Sequence, residues 1–185
     1  MALSQLLEIL IYTFFLRTIN VMEGIFGILT VSKWLAILRI GVGLWWLKSF
    51  LHKTHREFVN GQMANWTMAL ADNNPSETYG KLIKRLVEPN KRWFPYLILF
   101  GELSVALGLI FGFLTPLALI GAVFMNLNYL SLAGVKPTKD KSVNPCYQCE
   151  QGQNFNMILS EVVMLFTAAW SVWSIDALIG LFPTI

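Results

Sequence analysis

Two short pairs stand out among the residues able to do chemistry. The chain has two histidines, His52 and His55, spaced His-x-x-His, and two cysteines, Cys146 and Cys149, spaced Cys-x-x-Cys. If their two loops converged, the four could supply a tetrahedral metal site. The cysteines alone carry a different chemistry, because such a pair opens and closes a disulfide and neighbouring positive charge favours the reactive thiolate. The plainer readings are two interfacial histidines and a structural or inert cysteine pair. A redox dithiol at Cys146 and Cys149 ranks above a metal site, since it requires only local geometry. His52, His55, Cys146 and Cys149 stay as a secondary metal set, and a bound metal is not expected.

The second signal is charge inside apolar stretches, where each ionised group costs several kcal/mol unless it is paired or faces a polar cavity. Arg39, Glu102 and Glu161 qualify, and Asn126, Asn128 and Ser104 are candidates to join them. At 1.5 Å per residue, Glu102 and Asn126 fall within about 3 Å of their helix midpoints, Glu161 about 11 Å toward one side and Arg39 about 5 Å toward the other. This predicts a core polar cluster in which Arg39 faces Glu102 and Glu161 stands at the mouth. The alternative is a buried ion pair that only fixes helix register.

The elements that hold these groups follow from composition. Of 185 residues, 55% are hydrophobic and 14% charged, against about 25% charged in a soluble domain. Such a chain cannot cover a water-facing surface. Four stretches match the length of a bilayer crossing: Trp34 to Leu51, Phe94 to Leu114, Pro116 to Ala133, and about Phe155 to Phe182. Leu114-Thr115-Pro116 predicts a tight hairpin, with Thr115 as cap and Pro116 in the first turn. On the second of these stretches, Gly101, Ser104, Gly108 and Gly112 form a small-residue face suited to close helix approach. Residues 1–33, interrupted by Glu8, Arg17 and Glu23, read as an interfacial segment, with a crossing helix as the alternative. A signal peptide is not expected there. The predicted fold is an all-α membrane protein, a bundle of four transmembrane helices over residues 34–185, with that interfacial N-terminal helix and an amphipathic helix in the first loop.

The amphipathic helix lies in loop 52–93. Asn74-Pro75-Ser76-Glu77 reads as N-cap, first-turn proline and capping acid, with Tyr79, Leu82, Ile83, Leu86 and Val87 on one face and Lys81, Lys84, Arg85 and Glu88 on the other. It either packs over the bundle mouth or floats on anionic lipid headgroups. Loops 52–93 and 134–154 share one side and together hold ten lysines and arginines, against Arg17 and Lys33 opposite. By the positive-inside rule both loops are cytoplasmic, in an inner-membrane protein. A stable disulfide at Cys146 and Cys149 would argue against that orientation.

Several of these residues carry a family resemblance. The run Leu38-Arg39-Ile40-Gly41-Val42-Gly43 with Trp46 and Lys48, then Gly101-Glu102-Leu103, Gly108 to Pro116, Gly152-Gln153-Asn154 and Ser174-Ile175-Asp176 resembles the DoxX/DoxD family of small four-helix membrane proteins. The resemblance implies a membrane subunit of thiosulfate:quinone oxidoreductase or a relative, and marks Arg39, Glu102, Asn154 and Asp176 as matching intramembrane positions. Cys146-x-x-Cys149 and the N-terminal extension fall outside the family pattern.

Two function classes follow. One is a subunit of a quinone-linked oxidoreductase, with Arg39, Glu102, Glu161 and Asn126 receiving a quinone headgroup or small sulfur anion. The other is a noncatalytic accessory subunit of a larger respiratory or photosynthetic membrane complex; a small transporter is a third option. A quinone is the implied cofactor, and the expected partners are membrane lipids and other membrane or peripheral redox subunits. No nucleotide loop, haem-attachment motif or nucleic-acid partner is expected.

Overall fold

A computed structural model describes residues 29–53 and 56–182. The described residues form helices joined by turns, with no strand among them. The helices are α1 (Val31–Lys53), α2 (Met63–Asp72), α3 (Glu77–Val87), α4 (Phe94–Phe111), α5 (Thr115–Tyr129), α6 (Tyr147–Phe166) and a short α7 (Ile175–Ile179). Wide turns at Phe58–Gln62 and Leu130–Gly134 precede α2 and extend α5. Among the described residues three helices are long and apolar enough to cross a membrane: Val31–Lys53, Phe94–Phe111 and Thr115–Gly134. α1 packs on α4, α4 on α5 and α5 on α6, which closes the bundle against α1. Their shared core includes Val42, Trp46, Val105, Leu109, Leu119 and Met164. The predicted interfacial helix within residues 1–33 lies mostly outside the described residues.

The fourth predicted span, about Phe155 to Phe182, is not one helix. α6 begins earlier, at Tyr147, and stops at Phe166; Thr167 leaves helical geometry, and Ala168 and Trp173 take positive φ values of 50° and 51°. With 20 residues α6 is long enough to cross, but Gln148, Glu150, Gln151, Gln153 and Asn154 make its first half polar. Residues 167–182 instead fold back across the end of the bundle away from the large loops.

That folded-back segment secures the α4–α5 hairpin. The hairpin turns through left-handed Gly112 (φ 64°) and Leu114 (φ 51°), with Pro116 in the first turn of α5. Thr115 was the expected cap, but its hydroxyl has no partner among the described residues. The buried Asp176 carboxylate caps instead, accepting from the backbone N–H groups of Leu114 and Thr115 at 2.8 Å each. An anion suits this position because the first turn of a helix carries unpaired donors and the positive end of the macrodipole. Asp176 also donates its own backbone N–H to Gly112 O at 2.9 Å.

At the other end, α2 and α3 form a hood over the bundle mouth. Asn74, the expected N-cap, is a clamp: its side chain donates to Ser131 O and Leu132 O at 3.2 and 3.1 Å while Oδ1 accepts from Ser76 N–H at 2.9 Å. Ser76 is the residue at the cap of α3. The expected inner face of α3 divides, with Val87 buried but Leu82 and Leu86 51% and 55% exposed. α3 leans on α2 through Gly80, where an added Cβ would lie 2.3 Å from Ala71 O, so the contact line runs through Gly80 rather than the leucines. α2 (Met63–Asp72) has no counterpart among the predicted helices.

The far-end turn yields a test. A Cβ at Gly112 would lie 1.7 Å from Nη1 of buried Arg39, at a φ that L-residues rarely adopt, whereas Gly41 has open space around it. Gly112→Ala is expected to cost about 1–3 kcal/mol from overpacking and backbone strain, while Gly41→Ala leaves stability nearly unchanged. Thermal unfolding in detergent compares the two.

Candidate functional site

The buried polar side chains gather into two centres on the hood side and a clasp at the opposite end. In the first centre, Glu102 of α4 is fully buried. Its Oε1 accepts from the Lys53 ammonium in a short ion pair and from the Tyr129 hydroxyl at 2.9 Å. Lys53 Nζ also donates to Ser49 Oγ at 3.0 Å and lies 5.3 Å from the centre of the Tyr129 ring. Glu102 Oε2 has no partner among the described residues.

In the second centre, Glu161 of α6 is equally buried. Its Oε1 accepts from Trp46 Nε1 and Asn126 Nδ2 at 2.9 Å each, and its Oε2 from Asn126 Nδ2 at 3.0 Å. α1, α5 and α6 are thereby tied at one level. Glu161 is therefore an interior group, not the mouth residue that counting along the helix predicted.

The expected Arg39–Glu102 pairing does not form. Arg39 points to the far end, where Nη2 donates to Trp173 O at 2.5 Å and Nη1 lies beside Gly112, with Asp176 as the neighbouring acid. Gly112 is ten residues beyond Glu102, or about 15 Å along α4. The cause is the lean of helical side chains toward their own N-terminus. α1 starts at the far end, so Arg39 reaches away from Glu102, while Lys53 at the loop-side end reaches back into the bundle and takes the acid. Depth counting ignored this direction, and it left Lys53 among the loop charges.

Of the remaining candidates, Asn126 joins Glu161 as expected, whereas Ser104 is exposed. Asn128 bonds Phe124 O with its amide and meets the Tyr79 hydroxyl at 3.3 Å. Burial holds the Tyr79 phenol above its ordinary pKa, so it stays a donor. Asn154 is buried and donates to Glu150 O at 2.7 Å. Cys146 and Cys149 are joined as a disulfide at the N-terminus of α6, both exposed. Among the described residues no group of three His, Cys, Asp or Glu is gathered for a metal; His55 lies outside them.

Between the hood and the two centres lies a cavity of about 1220 Å³. Its wall is chiefly apolar, with Trp45, Trp46, Trp66 and Trp93, and the polar groups that reach it include Lys53, Tyr129, Asn126 and Asn154. Thr67 of α2 also lines it, and the Thr67 hydroxyl is buried with no partner among the described residues. Leu97, Phe100 and Phe124, all largely exposed on the apolar outer face of α4 and α5, border the same space. A cavity with apolar walls and few convergent polar groups suits an amphipathic ligand whose tail lies in lipid.

Apolar helices of spanning length around paired, buried carboxylates define a multi-pass membrane protein. The chain belongs to the DoxD family: residues 34–181 match the family described as TQO small subunit DoxD. Comparison with curated proteins and with solved structures gives no match.

The first centre makes its own prediction. Removing one partner of a buried ion pair leaves an uncompensated charge, whereas removing both does not. Lys53→Met is expected to cost about 3 kcal/mol, and adding Glu102→Leu to recover most of it, as measured by unfolding in detergent.

Proposed function

We propose that this protein is the membrane subunit of a quinone-linked oxidoreductase and that the cavity beneath the hood receives the quinone headgroup. The observation that carries the reading is that cavity, open beside lipid-facing residues and bordered by Lys53 and Tyr129 with Glu102 behind them. Membership in a family described as a TQO subunit, thiosulfate:quinone oxidoreductase, supports the choice of a quinone. Reduction of a quinone takes two electrons and two protons. The Lys53 ammonium stabilises negative charge developing on a carbonyl oxygen. Tyr129 and Glu102 form a short chain through which a proton is held and passed. Thr67 supplies a further hydroxyl for a ligand oxygen. Glu161, held by Trp46 and Asn126, fixes the wall.

In this reading α6 is the fourth crossing helix, its polar half at the hood side inside the headgroup region. Loops 52–93 and 134–154 face the cytoplasm of an inner membrane, an orientation that requires the Cys146–Cys149 disulfide to be exchangeable rather than a stable structural bridge, and peripheral redox subunits dock there. α3 rests on the membrane surface, its exposed Leu82 and Leu86 in the interface and Lys81 and Arg85 at anionic headgroups.

Four of the seven tryptophans line the cavity, so a short-chain ubiquinone titrated into the purified protein should quench its fluorescence saturably. Thr67→Val is expected to weaken binding about tenfold, the loss of roughly one hydrogen bond. Leu117→Ala, on the adjoining groove between α4 and α5 and outside the cavity lining, should not. Absence of quenching would replace this reading by the accessory-subunit one.

A further inference from the structure

We infer that Cys146–Cys149 is an exchangeable redox disulfide that takes electrons from a dithiol in the aqueous phase on the hood side and delivers them to the quinone; the delivery step rests on the function proposed above. Three observations converge on it. First, the bond stabilises little: it closes a loop of only two intervening residues, and the stabilisation from a crosslink falls as its loop shortens. Second, both cysteines are exposed, so a second thiol can reach them, unlike the sulfurs of a buried structural bridge. Cys146 occupies the cap position of the 20-residue α6, where the unpaired first-turn N–H groups and the macrodipole favour the thiolate that exchange produces.

Third, the disulfide heads an inward stripe of α6. Cys146, Glu150, Asn154, Met157 and Glu161 succeed one another at spacings of four, four, three and four, one face of a helix. Glu150, Asn154 and Met157 line the cavity, and Glu161 lies in the buried centre. The cavity wall therefore begins one helical turn below the sulfurs. A structural bridge placed only to hold the loop would have no reason to head a stripe whose polar members, Glu150 and Asn154, enter the cavity.

The reaction balances as two steps. A partner thiolate attacks one cysteine sulfur, the S–S bond breaks, and the other sulfur leaves as a thiolate. The partner's second thiol then displaces the mixed disulfide. The partner loses two electrons and two protons and becomes a disulfide, while Cys146 and Cys149 become thiols. These two thiols return two electrons and two protons to the quinone, forming quinol and closing the disulfide again.

The test uses the full chain in detergent, dithiothreitol as the dithiol and a short-chain ubiquinone as acceptor. Quinol formation is followed by absorbance after subtracting the protein-free rate, for wild type, Cys146→Ser and Cys149→Ser. Fluorescence quenching is measured in parallel. The expected result is catalysed turnover in wild type, at least tenfold slower in either variant, with quinone quenching equal in all three. Equal rates in wild type and variants alongside intact quenching would overturn the redox disulfide while leaving the quinone site standing. So would a wild-type disulfide that dithiothreitol fails to open in the folded protein, judged by mass-tagging of released thiols. Loss of quenching in wild type would instead remove the quinone reading, and this proposal with it.

Discussion

Hydrocarbon offers no hydrogen bonds, and this bundle places three carboxylates, Glu102, Glu161 and Asp176, fully out of solvent. Each must therefore find donors within the protein, and the search for donors organises the structure. Glu102 draws Lys53 and Tyr129 from α1 and α5 toward α4. Glu161 draws Trp46 and Asn126 from α1 and α5 toward α6. Asp176 takes the open end of α5 and pins the last segment beneath it. Apolar packing between helices discriminates weakly among registers when lipid is as apolar as leucine. These acids supply the discrimination.

The same constraint separates the two ends of the molecule. At the far end the Asp176 carboxylate and the Arg39 guanidinium close over the hairpin turn, with Arg39 Nε and Nη1 and the Thr115 hydroxyl buried there without a partner among the described residues. At the hood end the acids sit behind a cavity, each screened from it by a side chain able to donate: Lys53 and Tyr129 before Glu102, Trp46 and Asn126 before Glu161. One end folds over itself and the other encloses a cavity. The hood adds a roof with an unsatisfied hydroxyl at Thr67.

Much of this was legible in the sequence, and its limits have physical causes. Span length and charge scarcity located α1, α4 and α5, and an ionisable residue in an apolar stretch correctly marked Arg39, Glu102 and Glu161 as buried. Partnerships were not legible, because helical side chains lean along the axis and the lean reverses with helix direction. That reversal took Arg39 away from Glu102 and brought Lys53 in. The break of the fourth span after Phe166 was hidden as well, since residues 167–182 are as apolar as a helix would be. Beyond the break, the Asp176 carboxylate accepts from two N–H groups 62 and 61 positions earlier in the chain, a partnership that spacing along the sequence does not display.

That long separation bears on how the protein is made. Leu114 and Thr115 are made 62 and 61 residues before Asp176, so the nascent hairpin carries two uncapped amide donors at its tip while the intervening chain is added. Only when the final segment arrives does the tip acquire its cap and Arg39 its carbonyl. The far end is therefore completed last: a chain clipped before residue 176 would keep its apolar helices yet lack the carboxylate that caps the turn.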